Sequence, residues 1–297
     1  MEEQIYLVTG ATDGIGKALS LALAKTGATV IMHGRSPEKA DRALNEIGDA
    51  TGNTHLHTVL ADYASFDQVA ALAEQVQTEF GGLNVLINNA GMLTDHRQLS
   101  HDGLELTFAV NYLAPFLLTN LLLDTLKANA PARIVNVSST AMGGGLINFS
   151  DMQAEQHFDG WQAYANSKLA NVLSSHWLAS QLEGTGVVSN SLCPGLIDTN
   201  FLYTNNLFSS HERELMRGRM RSPEEGALVP LYLATAPEAA ATSGKFFVRE
   251  GRDGRRTLPL QWDEQLAGEL VTRSFGYLKG WCQAPTGLIR RYPRTGA

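Results

Sequence analysis

Cysteine is scarce in this 297-residue chain, which contains only Cys193 and Cys282. A single bridge would add little to the stability of a chain of this length, so we expect free thiols and a reducing, cytoplasmic compartment. Cys193 lies in an apolar, strand-like segment. A cysteine in such a segment is far more often an inert packing residue than a nucleophile.

The chain also lacks a basic excess and a long apolar run. Its 23 Lys+Arg stand against 30 Asp+Glu, a formal net charge of −7, which argues against nucleic-acid binding because phosphate contacts need a basic surface. No uncharged apolar segment approaches the ~20 residues that span a bilayer, and the acidic start of the chain does not resemble a signal peptide. We expect a small-molecule partner, no nucleic acid, no metal ion and no membrane span.

Apolar β-branched runs alternate with amphipathic helical segments through most of the chain. This alternation predicts an α/β protein, a Rossmann-type doubly wound parallel sheet of about seven strands with helices on both faces. Predicted strands lie near residues 4–9, 28–33, 54–60, 83–88, 132–138, 186–193 and 245–249. Predicted helices lie near residues 15–26, 36–50, 66–80, 102–128, 161–184, 223–236 and 262–279.

No linker or repeat divides the chain, so we predict one catalytic domain over residues 1–250, carrying two long loops at 140–160 and 200–221. Residues 251–297 are predicted to form a C-terminal helix and tail packed on that domain. The tail begins with a basic turn containing Arg252, Arg255 and Arg256, and such charge runs are usually solvated faces.

A glycine-rich segment follows the first predicted strand and opens the first predicted helix. Its glycines have the spacing G-x-x-x-G-x-G, which lets the backbone turn tightly and approach a pyrophosphate beside the free N–H groups of a helix N-terminus. A tight turn without a ligand is the alternative. The predicted cofactor contacts here are Gly10, Thr12, Asp13, Gly14, Ile15 and Gly16.

No acidic residue ends the second predicted strand, which continues Met32-His33-Gly34-Arg35-Ser36. An acidic side chain there would bind the ribose hydroxyls of NAD, whereas a guanidinium suits a 2′-phosphate. We therefore predict NADP(H), with Arg35 and Ser36 at the 2′-phosphate. The alternative is that Arg35 is simply an exposed residue at a helix start.

Tyr164 and Lys168 have a Y-x-x-x-K spacing on a predicted helix, so their side chains lie on one face, one turn apart. Ser139 ends the fifth predicted strand, and the reactive site of an open parallel sheet lies at the carboxyl ends of its strands. A nearby ammonium and a positive nicotinamide ring would lower the pKa of a phenol from about 10. We predict that Tyr164 is a general acid/base and that Ser139 stabilises charge on the reacting oxygen.

Together these segments resemble the short-chain dehydrogenase/reductase family over roughly residues 4–250. Asn88-Asn89-Ala90-Gly91 is similar to the family's NNAG motif, and the segment from Pro194 to Thr199 is similar to its PG motif. The resemblance favours Ser139 over Ser138 as the catalytic serine and places Asn111 beside a water that replenishes the proton. Further cofactor contacts implied by the resemblance are Asp62, Tyr63, Asn89, Ala90, Gly91, Tyr164, Lys168, Pro194, Gly195, Ile197 and Thr199.

Within the family the sequence resembles the retinol dehydrogenase-like branch. The 25-residue separation of Ser139 from Tyr164 and the run from Ser167 to Val172 support this. Several members of that branch carry an N-terminal membrane anchor that we do not find here, so the resemblance does not carry over a retinoid substrate.

The resemblance implies NADP(H)-dependent hydride transfer, and the two long loops indicate a lipophilic or cyclic ketone, aldehyde or secondary alcohol as substrate. Equally, these loop side chains could serve only to pin the loops. Two alternatives for the activity are an epimerisation or dehydration on the same scaffold and a non-catalytic NADP-sensing protein. A homodimer through the helices near 102–128 and 161–184 is also expected from the family. The apolar loop residues are Met142, Leu146, Ile147, Phe149, Phe201, Leu202, Tyr203, Leu207 and Phe208.

Overall fold

The computed structural model describes residues 4–203, 207–250, 254–258, 260 and 263–284. Within these ranges eight strands form one sheet, in the order β3-β2-β1-β4-β5-β6-β7-β8. The strands are β1 (Ile5–Val8), β2 (Thr29–Gly34), β3 (Leu56–Leu60), β4 (Val85–Asn88), β5 (Ala132–Val137), β6 (Val187–Cys193), β7 (Phe246–Glu250) and β8 (Gly254–Leu258). The doubly wound α/β fold predicted from the sequence is therefore confirmed.

Strands β1 to β7 pair in parallel, and β8 returns antiparallel along β7. This eighth strand differs from the sequence-based prediction, which placed Arg255 and Arg256 in a solvated basic turn. Gly254–Leu258 has no alternating apolar pattern that would indicate a strand. Strand β8 forms through its backbone hydrogen bonds with β7. Arg252 lies outside the described residues.

Helices cover both faces of the sheet. They are α1 (Gly14–Ala24), α2 (Pro37–Thr51), α3 (Phe66–Phe80), α4 (Leu106–Phe108), α5 (Ala114–Leu121), α6 (Leu123–Ala128), α7 (Gly160–Gln181), α8 (Ser210–Arg217), α9 (Pro223–Thr235) and α10 (Glu264–Tyr277). Helix α8 lies inside the segment 200–221 that was predicted as a loop, and its capping box pairs Ser209 with Glu212.

Successive residues of each central strand enter two separate cores. Leu7 belongs to the core beneath α3, α5, α7 and α10, whereas Tyr6 and Val8 belong to the core beneath α1 and α9. Because both faces of a parallel sheet are covered, its strands are continuous apolar runs. Burying each such side chain contributes about 1.5–3 kcal/mol, which fixes the strands whose carboxyl ends carry the site.

The helix predicted at 102–128 is instead interrupted. A π turn at Ala109–Leu113 separates α4 from α5, and Pro115 follows it directly. Proline has no N–H and cannot donate to the carbonyl four residues earlier, that of Asn111. The side-chain amide of Asn171 on α7 donates to this carbonyl at 2.8 Å.

Helix α10 lies across α7 and the aromatic side chains that follow the π turn. Tyr112 Oη is 2.8 Å from Ser274 Oγ, and the rings of Phe116 and Phe275 are 5.1 Å apart. No helix among the described residues is both long enough and apolar enough to cross a membrane.

Candidate active site

The glycine-rich turn between β1 and α1 has a backbone that only glycine accommodates. Gly10 and Gly14 have φ of +64° and +52°, in the left-handed region that disfavours side chains. A Cβ on Gly16 would lie 2.1 Å from the carbonyl oxygen of Gly10. The turn therefore brings backbone N–H groups and the N-terminus of α1 to the edge of the sheet.

The segment after β4 is tied to this turn by Thr9. The Thr9 hydroxyl accepts from the main-chain N–H groups of Asn89 at 2.9 Å and Ala90 at 3.0 Å. The side chain of Asn89 donates back to the carbonyl of Thr9 at 2.8 Å. A Cβ on Gly91 would lie 3.5 Å from Lys168 Nζ, so this segment forms the floor between the turn and the predicted catalytic lysine.

At the end of β2, Arg35 is exposed and Ser36 begins α2. The Ser36 hydroxyl accepts from Lys39 N–H at 3.3 Å and donates to a Glu38 carboxylate oxygen at 2.6 Å. The Ser36 hydrogen bond also holds the pKa of the exposed Glu38 carboxyl below its usual value. Of the two predicted phosphate ligands, Arg35 is therefore the one whose side chain extends into solvent, while Ser36 caps the helix.

The two predicted adenine-side residues after β3 lie in different environments. Asp62 is partly buried and accepts from Ala64 N–H at 3.0 Å. Tyr63 is 4% exposed, and its ring stacks on that of His33 at 4.6 Å. The Tyr63 side chain thus packs beneath the turn.

The two serines at the end of β5 have different partners. Ser138 is buried, and its hydroxyl donates to the main-chain carbonyl of Lys168 at 2.8 Å. Ser139 is partly exposed, and its hydroxyl is near enough to Tyr164 to oppose the rise in the pKa of that phenol. Its hydroxyl also accepts from Ala141 N–H at 3.1 Å. The structure therefore gives Ser138 a framework contact and places Ser139 beside the phenol.

Tyr164 and Lys168 project from one face of α7 toward the carboxyl end of β5. Lys168 Nζ donates to the carbonyl of Val137 at 3.1 Å and lies 5.6 Å from the centroid of the Tyr164 ring. The arrangement expected from the Y-x-x-x-K spacing, with both side chains beside Ser139, is present.

Burial dominates the electrostatics of this pair. It raises the pKa of the Tyr164 phenol above its usual value, and the hydrogen bond with Ser139 opposes this shift. It also lowers the pKa of the Lys168 ammonium to about 8. The lowering of the Tyr164 pKa expected from the Lys168 ammonium together with a positive nicotinamide ring stays a prediction.

Asn111 lies in the π turn and fastens the segment after β4 to α7. Its side-chain oxygen accepts from Met92 N–H at 2.7 Å, and its amide donates to the Met92 carbonyl at 2.8 Å and to Ser167 Oγ at 3.1 Å. Its main-chain carbonyl accepts from Asn171 and keeps a second lone pair. Asn171 was not among the predicted site residues. Its hydrogen bond fixes the main chain at Asn111, the residue predicted to lie beside a water.

The segment after β6 folds back onto the glycine-rich turn. A Cβ on Gly14 would lie 2.9 Å from a methyl carbon of Thr199, and the Asn200 amide donates to the Asp13 carboxylate at 2.6 Å. Ile197 is buried, which anchors the stretch. The predicted contacts Pro194, Gly195, Ile197 and Thr199 therefore follow β6 on a stretch that reaches the turn.

Aromatic side chains surround Tyr164 on its outer side. Its ring lies 5.4 Å from that of Phe201 and 5.6 Å from that of Trp161, which in turn lies 5.8 Å from Phe208. Trp161 is 47% exposed. Sequence reasoning did not select it, although its position three residues before Tyr164 puts it on the same helix face.

The other apolar loop residues have different surroundings. Met142 is buried with Cys193 and Phe246, while Ile147 and Phe149 pack against the core beneath α3 and α7. Leu146 is 68% exposed. Met142, Ile147 and Phe149 therefore hold their loop against the core. Phe201 and Phe208 instead line the region around Tyr164. The side chain of Leu202 lies outside the described residues.

The residues present fit a nicotinamide dinucleotide. The turn has glycine at its left-handed positions and where its backbone packs closely, and it adjoins the N-terminus of α1, which suits an anion. The floor at Gly91 leads from this turn to Lys168. The glycine-rich turn, Tyr164 and Lys168 thus lie along the same carboxyl edge of the sheet, as expected for a binding site in doubly wound folds.

Comparison with known proteins supports the same assignment. Residues 4–145 match the family model described as short chain dehydrogenase, and residues 140–251 match that described as enoyl-(acyl carrier protein) reductase. The chain is 39% identical to retinol dehydrogenase 13 of Mus musculus, over 90% of this chain and 81% of the relative. It is 37% identical to retinol dehydrogenase 14 of Homo sapiens, over 91% of this chain and 84% of the relative.

Solved structures agree with the sequence relatives. An uncharacterised protein from Mycobacterium paratuberculosis superposes with a TM-score of 0.75 at 28% identity, covering 95% of both chains. A Serratia marcescens short-chain dehydrogenase/reductase mutant superposes with a TM-score of 0.67 at 27% identity, covering 84% of this chain and 97% of the other. The protein is therefore an oxidoreductase of the nicotinamide-dependent class. It belongs to the short-chain dehydrogenase/reductase family and is retinol dehydrogenase-like within it.

Proposed function

We propose that the protein is an NADP(H)-dependent carbonyl reductase and alcohol dehydrogenase acting on lipophilic or cyclic compounds. The observation that carries the proposal is the placement of Ser139, Tyr164 and Lys168 together at the end of β5, next to the floor at Gly91. A non-catalytic cofactor-binding protein would not need this set.

In the proposed reaction, a nicotinamide held beside Lys168 would supply the hydride for the carbonyl carbon, or would take one from the alcohol carbon in the reverse direction. During reduction, Tyr164 donates its phenolic proton to the carbonyl oxygen, and in the reverse direction it accepts that proton. A phenol with its ordinary pKa of about 10 is protonated at neutral pH, so Tyr164 holds the proton that reduction requires. Ser139, which hydrogen-bonds Tyr164, donates to the same substrate oxygen and stabilises its developing charge.

The proposed preference for NADP(H) is supported by the end of β2. Gly34 stands where an acidic residue would bind ribose hydroxyls, and a Cβ there would lie 2.4 Å from a methyl carbon of Thr12. The exposed guanidinium of Arg35 follows immediately. A planar, permanently charged group beside an open position suits a phosphate.

The proposed lipophilic substrate is supported by the aromatic side chains around Tyr164 and by the names of the relatives, which are retinol dehydrogenases. Trp161, Phe201 and Phe208 offer apolar contact next to the proton donor. Apolar pockets with few polar groups bind lipophilic ligands.

The test is reduction of a panel of lipophilic ketones and aldehydes, followed by the absorbance of NADPH. The Tyr164→Phe variant should lose ~100-fold or more in kcat while its Kd for NADPH stays within about twofold, because the ring and its packing remain. Full activity of the variant would refute the proton-transfer role. Binding of NADPH without reduction of any panel member by the unaltered protein would favour a sensing function.

A cytoplasmic location and a homodimer remain proposals. The dimer expected from the family would use α5 and α7, and α10 packs across the aromatic side chains near this surface. Light scattering that shows only a 32.2 kDa species would reject the dimer.

A further inference from the structure

His33 is a buried histidine directly behind the glycine-rich turn. It lies in β2 and is 3% exposed. Its Nδ1 is 3.3 Å from the main-chain nitrogen of Gly10, and its Nε2 is 3.0 Å from the carbonyl oxygen of Ala61. One imidazole therefore bridges the turn after β1 and the end of β3.

The two partners assign the tautomer of this ring. The Gly10 N–H is a donor, so Nδ1 must accept and carry no proton. The Ala61 carbonyl is an acceptor, so Nε2 must carry the proton. Burial favours the same neutral form, since it lowers the pKa of His33 to about 4.

The bridge holds a residue of the turn that has a left-handed backbone. Gly10 has a φ of +64°, and the next amide, that of Ala11, donates to the His33 carbonyl at 2.8 Å. Two successive N–H groups of the turn are thus bound by the side chain and the backbone of one residue. Tyr63 stacks on the far side of the imidazole at 4.6 Å and restricts its rotation.

We propose that His33 is a positioning residue for the cofactor, and that acceptance of the Gly10 N–H by its neutral imidazole presets the turn for the pyrophosphate. The proposal rests on the proposed cofactor site. It assigns to His33 no contact with the reacting atoms. The ring acts through Gly10, so its loss should weaken binding of the dinucleotide and leave the chemical step unchanged.

Two substitutions separate this role from simple filling of the core. His33→Asn keeps an acceptor close to the place of Nδ1, with a shorter side chain that no longer reaches Ala61. His33→Gln keeps a donor near the place of Nε2 and loses the acceptor for Gly10. Each variant gives up one of the two contacts, so a merely structural role would affect both alike.

The experiment is isothermal titration of each variant with NADP⁺ and, separately, with 2′-AMP, which carries the 2′-phosphate but lacks the pyrophosphate bridge. We expect His33→Gln to raise the Kd for NADP⁺ about tenfold, the effect of one lost backbone hydrogen bond. His33→Asn should stay within about threefold of the unaltered protein. Neither variant should change the Kd for 2′-AMP by more than about twofold, and kcat at saturating cofactor should be retained.

Two results would overturn the proposal: equal losses of NADP⁺ affinity in both variants, or a loss of 2′-AMP affinity as large as that of NADP⁺. Long-range ¹H–¹⁵N NMR of the histidines gives an independent check, since His33 must show the Nε2–H form at pH 7. A His33 ring that carries its proton on Nδ1, or on both nitrogens, at pH 7 would contradict the proposal. These binding measurements do not depend on turnover, so they test the role of His33 even if the proposed catalysis is wrong. Absence of NADP⁺ binding by the unaltered protein would reject both the role of His33 and the proposed cofactor.

Discussion

The hydroxyl of Ser138 donates a 2.8 Å hydrogen bond to the main-chain carbonyl of Lys168. This contact joins the end of β5 to the middle of α7, the helix that carries both Tyr164 and Lys168. It fixes the distance between the strand end and the helix face, and it leaves the neighbouring Ser139 hydroxyl beside the phenol. Two adjacent serines thus have separate surroundings, and we propose that Ser138 serves the framework and Ser139 the chemistry.

Alanine substitution of each serine should separate these tasks. Ser139→Ala should lower kcat by ~100-fold, since it removes a donor to the substrate oxygen, with little change in stability. Ser138→Ala should lower the free energy of unfolding by about 1 kcal/mol, because one buried hydrogen bond is lost, and should retain most of the activity. Urea denaturation and steady-state kinetics on both variants make the comparison, and a larger kinetic loss in Ser138→Ala would reverse the assignment.

Charge reversal at Arg35 should change the cofactor preference. Arg35→Asp is expected to lower kcat/KM for NADPH by ~10–100-fold, the size of a lost charge-assisted hydrogen bond combined with repulsion of the phosphate. Its kcat/KM for NADH should rise. Arg42→Asp on the exposed side of α2 changes the net charge equally and serves as the control. Similar losses in both variants would show that general electrostatics, rather than a contact with the 2′-phosphate, sets the preference.

Removal of the indole at Trp161 should reduce the preference for large substrates over small ones, measured as the ratio of their kcat/KM values. Trp161→Ala is expected to lower kcat/KM for a polycyclic or long-chain ketone by ~10-fold or more, as expected for lost burial of an aromatic side chain. A small aldehyde should be reduced about as well as before. Trp161→Phe keeps an aromatic ring, so it should retain much of the kcat/KM for the large ketone that Trp161→Ala loses. If kcat/KM falls equally for both substrates in Trp161→Ala, the indole positions Tyr164 and does not contact the substrate.

The buried imidazole of His33 should make the fold sensitive to acid. The pKa of His33 is lowered to about 4 in the folded chain, against about 6.5 in an unfolded one. Between these values the unfolded chain binds a proton that the folded chain does not, so the free energy of unfolding falls as pH falls through this window. The full contribution is on the order of 3 kcal/mol.

Urea denaturation from pH 7 down to pH about 4 measures this slope. His33→Asn cannot titrate there and should lose a large part of the pH dependence, whereas His55→Asn, at an exposed histidine, should keep it. An unchanged slope in His33→Asn would show that other groups cause the acid sensitivity.

Several features of the site followed from local sequence patterns. The spacing of Gly10, Gly14 and Gly16 predicts the turn because each requirement, a positive φ or a close backbone approach, belongs to the residue itself. The Y-x-x-x-K spacing similarly places Tyr164 and Lys168 on one face, since the helix repeat alone decides it. The order of strands and helices followed from apolar periodicity in the same way.

Other features depend on residues far apart in the chain. The strand β8 exists through its pairing with β7, and the π turn leaves the Asn111 carbonyl to Asn171, 60 residues away. Burial, which no local pattern reports, raises the pKa of the Tyr164 phenol. His33 could have been suspected as the one titratable side chain of the apolar strand β2, but its partners at Gly10 and Ala61 could not.

By itself, the sequence determined the doubly wound fold through the order of its apolar segments, and it determined the glycine-rich turn and the placement of Tyr164 and Lys168 on one helix face through spacing within single elements. Only the tertiary structure decided that Ser138 belongs to the framework, that Trp161 and two phenylalanines surround the phenol, and that His33 supports the turn. The reason is physical. A side chain's hydrogen-bond partner and its degree of burial are set by the elements that fold against it, and these come from distant parts of the chain.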